Sequence, residues 1–481
     1  MNINVASVLT ILIFLIDLAI RLWLLLYVPK NRKPTAATAW LLLIFIIPLL
    51  VTLLFFILGS TKLSRARRAK QKTINAAFKD LASASDHKVK ANLNPEYQPI
   101  ASLAQSLTAL PVTTGNTLTL LTDYNGSIKD MANKIINAKQ YVYIEFYAMT
   151  LDKTTEPFFA AIETAVKNGV QVYVLFDTFG SKKYQGYKPM QARLTKAGVH
   201  WAKILPIRLP SRGYNRPDLR NHRKIVAIDG QYAYIGSLNM IDKTYHRKDD
   251  ISYIELVARV TGPSVRDLAA VFAGDWYSET GEILRHAVNH KLPVRNNDTV
   301  RLQVVPSGSA YDYPNNLYLI TMMIHSAKES VHITNPYLVP DASLLTALMA
   351  AAKRGVNVSI LNSEVMDQWM VGNAQRSYYE QLLKAGVHIN LYKEPQLVHE
   401  KFMVVDKKSA IIGSSNFDIR SFELNMECIL VIYDELISRK LANHHKKLLK
   451  NCNDLSLQSW NKRGLKRSIL ESITRLASAL Q

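Results

Sequence analysis

A pattern of six residues occurs twice in this chain. His222, Lys224, Asp229, Gly236, Ser237 and Asn239 recur at identical spacing as His399, Lys401, Asp406, Gly413, Ser414 and Asn416. The residue types suit displacement at a phosphodiester. That reaction needs a nucleophile, a proton donor for the leaving alkoxide, and positive charge around the non-bridging oxygens. An imidazole, with an ordinary pKa of about 6.5, serves as either of the first two near neutral pH. The two lysines supply the charge, and Asn239, Asn416, Ser237 and Ser414 supply further hydrogen bonds to the same oxygens. The run between Lys and Asp is apolar in both copies, Ile225-Val226-Ala227-Ile228 and Phe402-Met403-Val404-Val405, and reads as a short buried strand. Alternate side chains of a strand share a face, so each His and its Lys point the same way from the strand start.

The duplication resembles the phospholipase D superfamily, whose members build one active site from two such motifs. The wider match is to the bacterial cardiolipin synthases. It runs through Asn221-His222-Arg223-Lys224-Ile225-Val226, then Thr334-Asn335-Pro336-Tyr337-Leu338-Val339-Pro340-Asp341, Arg376-Ser377-Tyr378-Tyr379 and Asn416-Phe417-Asp418-Ile419-Arg420-Ser421-Phe422. The resemblance implies an α/β fold of two similar halves, each a mixed sheet flanked by helices, sharing one central site. It implies His222, Lys224, Asp229, His399, Lys401 and Asp406 as the catalytic set. One neutral His, assigned as His222, would attack to give a phosphohistidine, and protonated His399 would serve the leaving group. Arg220 and Arg223 beside His222, against Glu400 beside His399, bias the two imidazoles in that direction. No metal or other cofactor is required. Asp229 and Asp406 follow a strand and precede a turn, so their expected work within the set is structural.

A catalytic imidazole also needs an acceptor for its second ring nitrogen. Glu427, immediately before the strand from Cys428, is expected to serve His399. Glu255, immediately before the strand from Leu256, is expected to serve His222, with Asp250 as the rival because it stands at the same 28-residue interval from its His as Glu427 does.

The net charge of +21, from 59 basic and 38 acidic residues, demands an anionic partner. The N-terminus selects lipid over nucleic acid. Val5 to Val28 is almost wholly apolar, about the length of a ~30 Å hydrocarbon core, and Ala36 to Leu58 forms a second apolar stretch. Residues 1–60 therefore read as a two-helix membrane hairpin, with Asp17 and Arg21 paired within its first helix. Lys62, Arg65, Arg67, Arg68, Lys70 and Lys72 follow it and place the body in the cytoplasm, although the basic turn Pro29 to Pro34 also favours a hairpin that dips without crossing. Cys428 and Cys452 read as free thiols of a reducing compartment, and His444-His445 as a solvated pair on a basic helix.

Residues 61–111 read as a basic connector, 112–290 as the first half and 291–481 as the second. Both halves carry a helix ending Gly-Val (Gly169, Gly355), a strand, and a second helix ending Ala-Gly-Val-His (Ala197, Ala385). The first half spends eleven more residues before its motif, in the stretch Arg208 to Arg220, either a substrate loop or a plain surface excursion. At the C-terminus Leu465, Ile469, Ile473 and Leu476 form a narrow helical stripe among Lys466, Arg467 and Arg475, suited either to an anionic membrane or to docking on the body, the narrowness favouring docking. The function implied is cardiolipin synthesis from two phosphatidylglycerols in the bacterial cell membrane. A membrane-tethered phospholipase D or nuclease using water is the alternative, and a non-catalytic scaffold is disfavoured because neither motif has lost its His or Lys.

Overall fold

Two stretches of the chain form separate units, residues 1–63 and 64–481, in a computed structural model that describes residues 5–30, 32–84, 93–206, 216–246, 250–284, 300–476 and 478. In the first unit the leading helix Val5–Tyr27 is unbroken, and Val8–Tyr27 is long and apolar enough to cross a membrane. Asp17 and Arg21 pair at 2.7 Å, and the Arg21 guanidinium also reaches Phe45 O at 2.9 Å. The second apolar stretch differs from the single helix expected. It forms two shorter helices, Pro34–Ile46 and Pro48–Leu58, bent at Ile47. Pro48 has no amide hydrogen and its ring obstructs the carbonyl four residues back, so it starts a new helix rather than continuing the old one. Arg32 closes the unit by donating to Val28 O (2.9 Å) and Gly59 O (3.3 Å), two helix-end carbonyls that would otherwise lack partners.

In the second unit the first half supplies β1 (Thr113–Leu121), β2 (Tyr141–Phe146), β3 (Gln171–Asp177), β4 (His200–Ile204), β5 (Ile225–Ile228), β6 (Tyr232–Gly236), β7 (Ser252–Ile254) and β8 (Val257–Thr261). The second half supplies β9 (Val300–Ser307), β10 (Ser330–Thr334), β11 (Leu338–Val339), β12 (Asn357–Ser363), β13 (His388–Tyr392), β14 (Gln396–Val398), β15 (Phe402–Val405), β16 (Ser409–Gly413), β17 (Phe417–Asp418), β18 (Glu427–Ile432) and β19 (Cys452–Leu455). Fifteen of these strands make one sheet, in the order β19-β13-β12-β10-β15-β16-β18-β9-β1-β8-β6-β5-β2-β3-β4. Read outward from the antiparallel β1–β9 pair at its centre, each half repeats the same sequence of neighbours. Within a half, β2-β3-β4 and β10-β12-β13 run parallel, while the strands carrying the motifs are antiparallel. This is the mixed sheet covered by helices that the alternating pattern implies. Buried helix residues such as Phe158 and Ile162 in the first half, and Leu344 and Leu348 in the second, pack against strands whose residues are buried on both faces. The helix Arg65–Ala84 of the connector is tied to the helix Ser264–Thr280: Arg67 grips Glu279 with two bonds of 2.7 Å, and Lys70 reaches Tyr277 O and Ser278 O. The boundary expected at 290/291 and most of the excursion from Arg208 lie outside the described residues.

Candidate active site

Lys224 and Lys401 stand immediately before β5 and β15, and the two motifs bring their charged ends close enough that each lysine acts on both imidazoles. Each ammonium donates back to the carbonyl of its own His, Lys224 to His222 O at 2.6 Å and Lys401 to His399 O at 2.7 Å. His222, His399, Lys224 and Lys401 are all buried.

The orienting carboxylates are present, but crossed. His222 Nδ1 meets Glu427 at 2.9 and 3.1 Å, and His399 Nδ1 meets Glu255 Oε1 at 2.7 Å. The expected pairing within each half is thus overturned, and the place beside His222 belongs to Glu427 rather than to Glu255 or Asp250. The backbone explains the exchange. His222 N donates to Met426 O, one residue before Glu427, and His399 N donates to Ile254 O, one residue before Glu255. Parallel pairing of β14 with β7 fixes the second contact, and a bridge between Asn221 and Met426 fixes the first. With Nδ1 held by a carboxylate, Nε2 is the nitrogen each ring keeps for chemistry.

The remaining motif residues build this frame. At Gly236 and Gly413 a Cβ would lie 2.3 Å from Leu256 O and Cys428 O of the neighbouring strand, so only glycine allows the close approach. The next residue exploits it. Ser414 Oγ donates to Glu427 Oε2 (2.5 Å) and accepts from Cys428 N (3.0 Å); Ser237 Oγ accepts from Leu256 N (3.0 Å) and donates to Leu256 O (3.2 Å). These hydroxyls secure the carboxylate strands, rather than the phosphoryl oxygens expected of them. Asn239 is similarly engaged, accepting from Ala148 N and donating to Tyr245 Oη at 3.2 Å each, whereas Asn416 Oδ1 is buried with no hydrogen-bond partner among the described residues.

Asp229 and Asp406 lie five strand residues beyond their lysines, roughly 16 Å at 3.3 Å per residue. Asp229 accepts from the amides of Lys139, Gln140 and Tyr141, and Asp406 from those of Lys328, Glu329 and Ser330, all within 2.6–2.9 Å. Both sit at left-handed φ, 51° and 52°, in the turn after the strand. Their work is to lock the start of β2 and β10, and they do not touch the reacting groups.

The motifs are matched twice by the family described as cardiolipin synthase, PLD-like domain, over residues 131–276 and 320–449. Over 94% of its length the chain is 31% identical to 94% of cardiolipin synthase A of Proteus mirabilis (strain HI4320), and equally to that of Yersinia pseudotuberculosis serotype O:1b (strain IP 31758). The chain belongs to the cardiolipin synthase family. Its fold is also that of phosphatidylserine synthase from Haemophilus influenzae Rd KW20, whose crystal structure matches with a TM-score of 0.59 at 13% identity, covering 79% of this chain and 99% of that one.

Within this cardiolipin synthase framework the two imidazoles are electrostatically unequal. Burial, followed by the charges of Lys224, Lys401 and His399, holds His222 well below its ordinary pKa. Burial also lowers His399, but Glu255 opposes it. Burial would raise Glu255 too, yet the charge and hydrogen bond of His399 outweigh that and hold it low. At Glu427 burial outweighs the opposing charge of Lys224 and the hydrogen bond from Ser414 and pushes it up to about 7. Lys224 falls to about 7 and Lys401 to about 8, again chiefly through burial. A nearby anion favours the charged form of an ammonium, so an anionic phosphodiester beside them would reverse these shifts.

The sequence neighbours expected to create this inequality do not. Arg223 turns to Asp275 and Glu427 O, Arg220 donates to Asp177 (3.3 Å), and Glu400 is held by His444 (2.9 Å). His444 is therefore paired, and His445 is buried between Thr334 (2.8 Å) and Ser359 (3.1 Å), contrary to the solvated pair expected. Sequence reasoning also missed the aromatic walls. Tyr147 packs edge-on to His222 at 5.0 Å, and Tyr253 and Tyr337 flank His399 at 5.3 and 6.2 Å while both donate to Asp367. Tyr337 lay within a recognised motif, but nothing in the spacing of Tyr147 or Tyr253 marked them.

Proposed function

We propose that this chain transfers a phosphatidyl group from one phosphatidylglycerol to another, yielding cardiolipin and glycerol. The observation that carries the reading is the buried set of two imidazoles, each oriented through Nδ1 by a carboxylate, beside two lysines whose charge burial disfavours until an anion arrives. His222, the more strongly held neutral, attacks phosphorus through Nε2. The bond from phosphorus to the glycerol headgroup breaks, and protonated His399 gives its proton to the departing alkoxide. His399, now neutral, takes the proton of the headgroup hydroxyl of the second phosphatidylglycerol, whose oxygen displaces His222 from phosphorus to give cardiolipin and restore the enzyme. Lys224 and Lys401 hold the non-bridging oxygens in both steps.

Membership of the cardiolipin synthase family and its lipid-directed chemistry support this reading, with residues 112–290 and 291–481 as the two halves behind a connector at 61–111. The helix Val8–Tyr27 crosses the bacterial cell membrane, and the bent pair Pro34–Ile46 and Pro48–Leu58 returns the chain, leaving the body in the cytoplasm. Purified enzyme on phosphatidylglycerol vesicles, with products identified by mass spectrometry, tests the reaction. Cardiolipin with stoichiometric glycerol is expected; phosphatidic acid as the sole lipid product would make the enzyme a hydrolase.

A further inference from the structure

The C-terminal helix Leu465–Leu476 docks with its polar face inward. Glu471 and Thr474 are buried, while Leu465 (75% exposed), Ile469 (50%), Ile473 (58%) and Leu476 (86%) face outward. At 100° per residue those four form one stripe, and Glu471 and Thr474 fall on the opposite side. The inner face is held by specific polar contacts along the helix Trp369–Ala385. Arg463 donates to Glu380 (3.0 Å) and Glu471 (3.1 Å), and the Arg475 guanidinium lies 4.2 Å over the Tyr378 ring and donates to Gln381 at 3.3 Å. The sequence expectation of docking is met, but with the opposite face. A single exposed leucine needs no explanation; a stripe of four, held outward by a built polar interface, marks an interaction surface.

The occupant follows from size and charge. The stripe is about 17 Å long at 1.5 Å per residue, and four side chains fall well short of the ~800 Å² per partner of a stable protein interface. Lys462 and Lys466 are exposed beside it, so a second copy would bring like charges together. An anionic bilayer satisfies both features, taking the apolar residues into its acyl boundary and the ammonium groups at its phosphates. We infer that helix 465–476 is a membrane contact of the enzyme body, lying in the interface of an anionic bilayer and holding the body there in addition to the N-terminal helices.

The test uses the full chain reconstituted in vesicles, carrying Ile473→Cys in a Cys452→Ser background and labelled with an environment-sensitive fluorophore; the remaining Cys428 is buried. In phosphatidylglycerol-containing vesicles the emission is expected to shift to the blue and to be quenched by lipids bearing a nitroxide on the acyl chain. Lys462→Glu with Lys466→Glu should remove most of that quenching. Melting curves of each variant alongside the parent confirm that the fold is retained. A label that stays open to iodide in vesicles overturns the inference. So does cross-linking between two copies through the thiol introduced at position 473, which would make the occupant a second molecule. The readout does not involve lipid synthesis, so it stands or falls apart from the proposed reaction.

Discussion

Glu255 and Glu427 make matching contacts in the two halves, yet their removal should have different consequences. Glu255 is held ionised 2.7 Å from His399 Nδ1, and such a charge-assisted hydrogen bond is worth ~1.5–3 kcal/mol. Dividing by 1.36 kcal/mol per pKa unit, Glu255→Gln lowers the pKa of His399 by roughly 1–2 units. The protonated population available to the leaving group falls about 10- to 100-fold, and kcat/KM with it, because His399 already titrates below the ordinary imidazole value. Glu427, at about 7, is ionised in only roughly one molecule in ten at pH 6, so Glu427→Gln there exchanges one neutral group for another and should cost less than about threefold. Above its pKa the lost charge matters, and by pH 8.5 the deficit should approach about tenfold. Initial rates of cardiolipin formation in phosphatidylglycerol mixed micelles from pH 5.5 to 9 measure both variants. Equal losses at pH 6, or a Glu427→Gln deficit independent of pH, would refute the inequality of the two pairs.

His222→Ala and His399→Ala should each abolish synthesis while melting like the parent, since one reaction requires both rings; near-normal turnover in either, measured with labelled phosphatidylglycerol, would contradict a shared site. Acid quench of the same label followed by peptide mapping should place the covalent phosphatidyl group on His222, and recovery on His399 alone would exchange their roles. Asp229→Asn weakens the anchorage of three amides at the start of β2; a lower melting temperature with kcat/KM within about twofold of the parent is expected, and a loss of several orders of magnitude would return Asp229 to the chemistry. Gly413→Ala, whose Cβ would stand 2.3 Å from Cys428 O, should melt well below Gly464→Ala, which meets open space.

The parts of this molecule that were legible in its sequence are those written locally or twice. The repeated His, Lys, Gly and Ser, the buried runs of β5 and β15, and the alternation of strands with helices all declared themselves through spacing. The crossed carboxylates did not. A place immediately before a strand pointed to Glu255 for His222 and Glu427 for His399, and the equal 28-residue interval pointed to Asp250, all within one half, whereas the contact is decided by two backbone pairings across the centre, Asn221 with Met426 and β14 with β7. Long-range register has no local signature. The break at Pro48 was readable from the missing amide, but hydropathy averaged over the stretch concealed it. The stripe of the last helix was recognised, yet burial could not be assigned to a face without the partners of Glu471.

Each histidine depends on an acid far away in the chain: His222 on one 205 residues later, His399 on one 144 residues earlier. As the chain leaves the ribosome, His222 and Lys224 are therefore made long before anything can align them. A product ending short of Glu427 has no oriented imidazole for its first motif, and one ending short of His399 lacks the second ring as well. Premature termination thus yields proteins that can sit among lipids without cutting them. The enzyme becomes competent only when nearly all of it has been synthesised and its two halves have met.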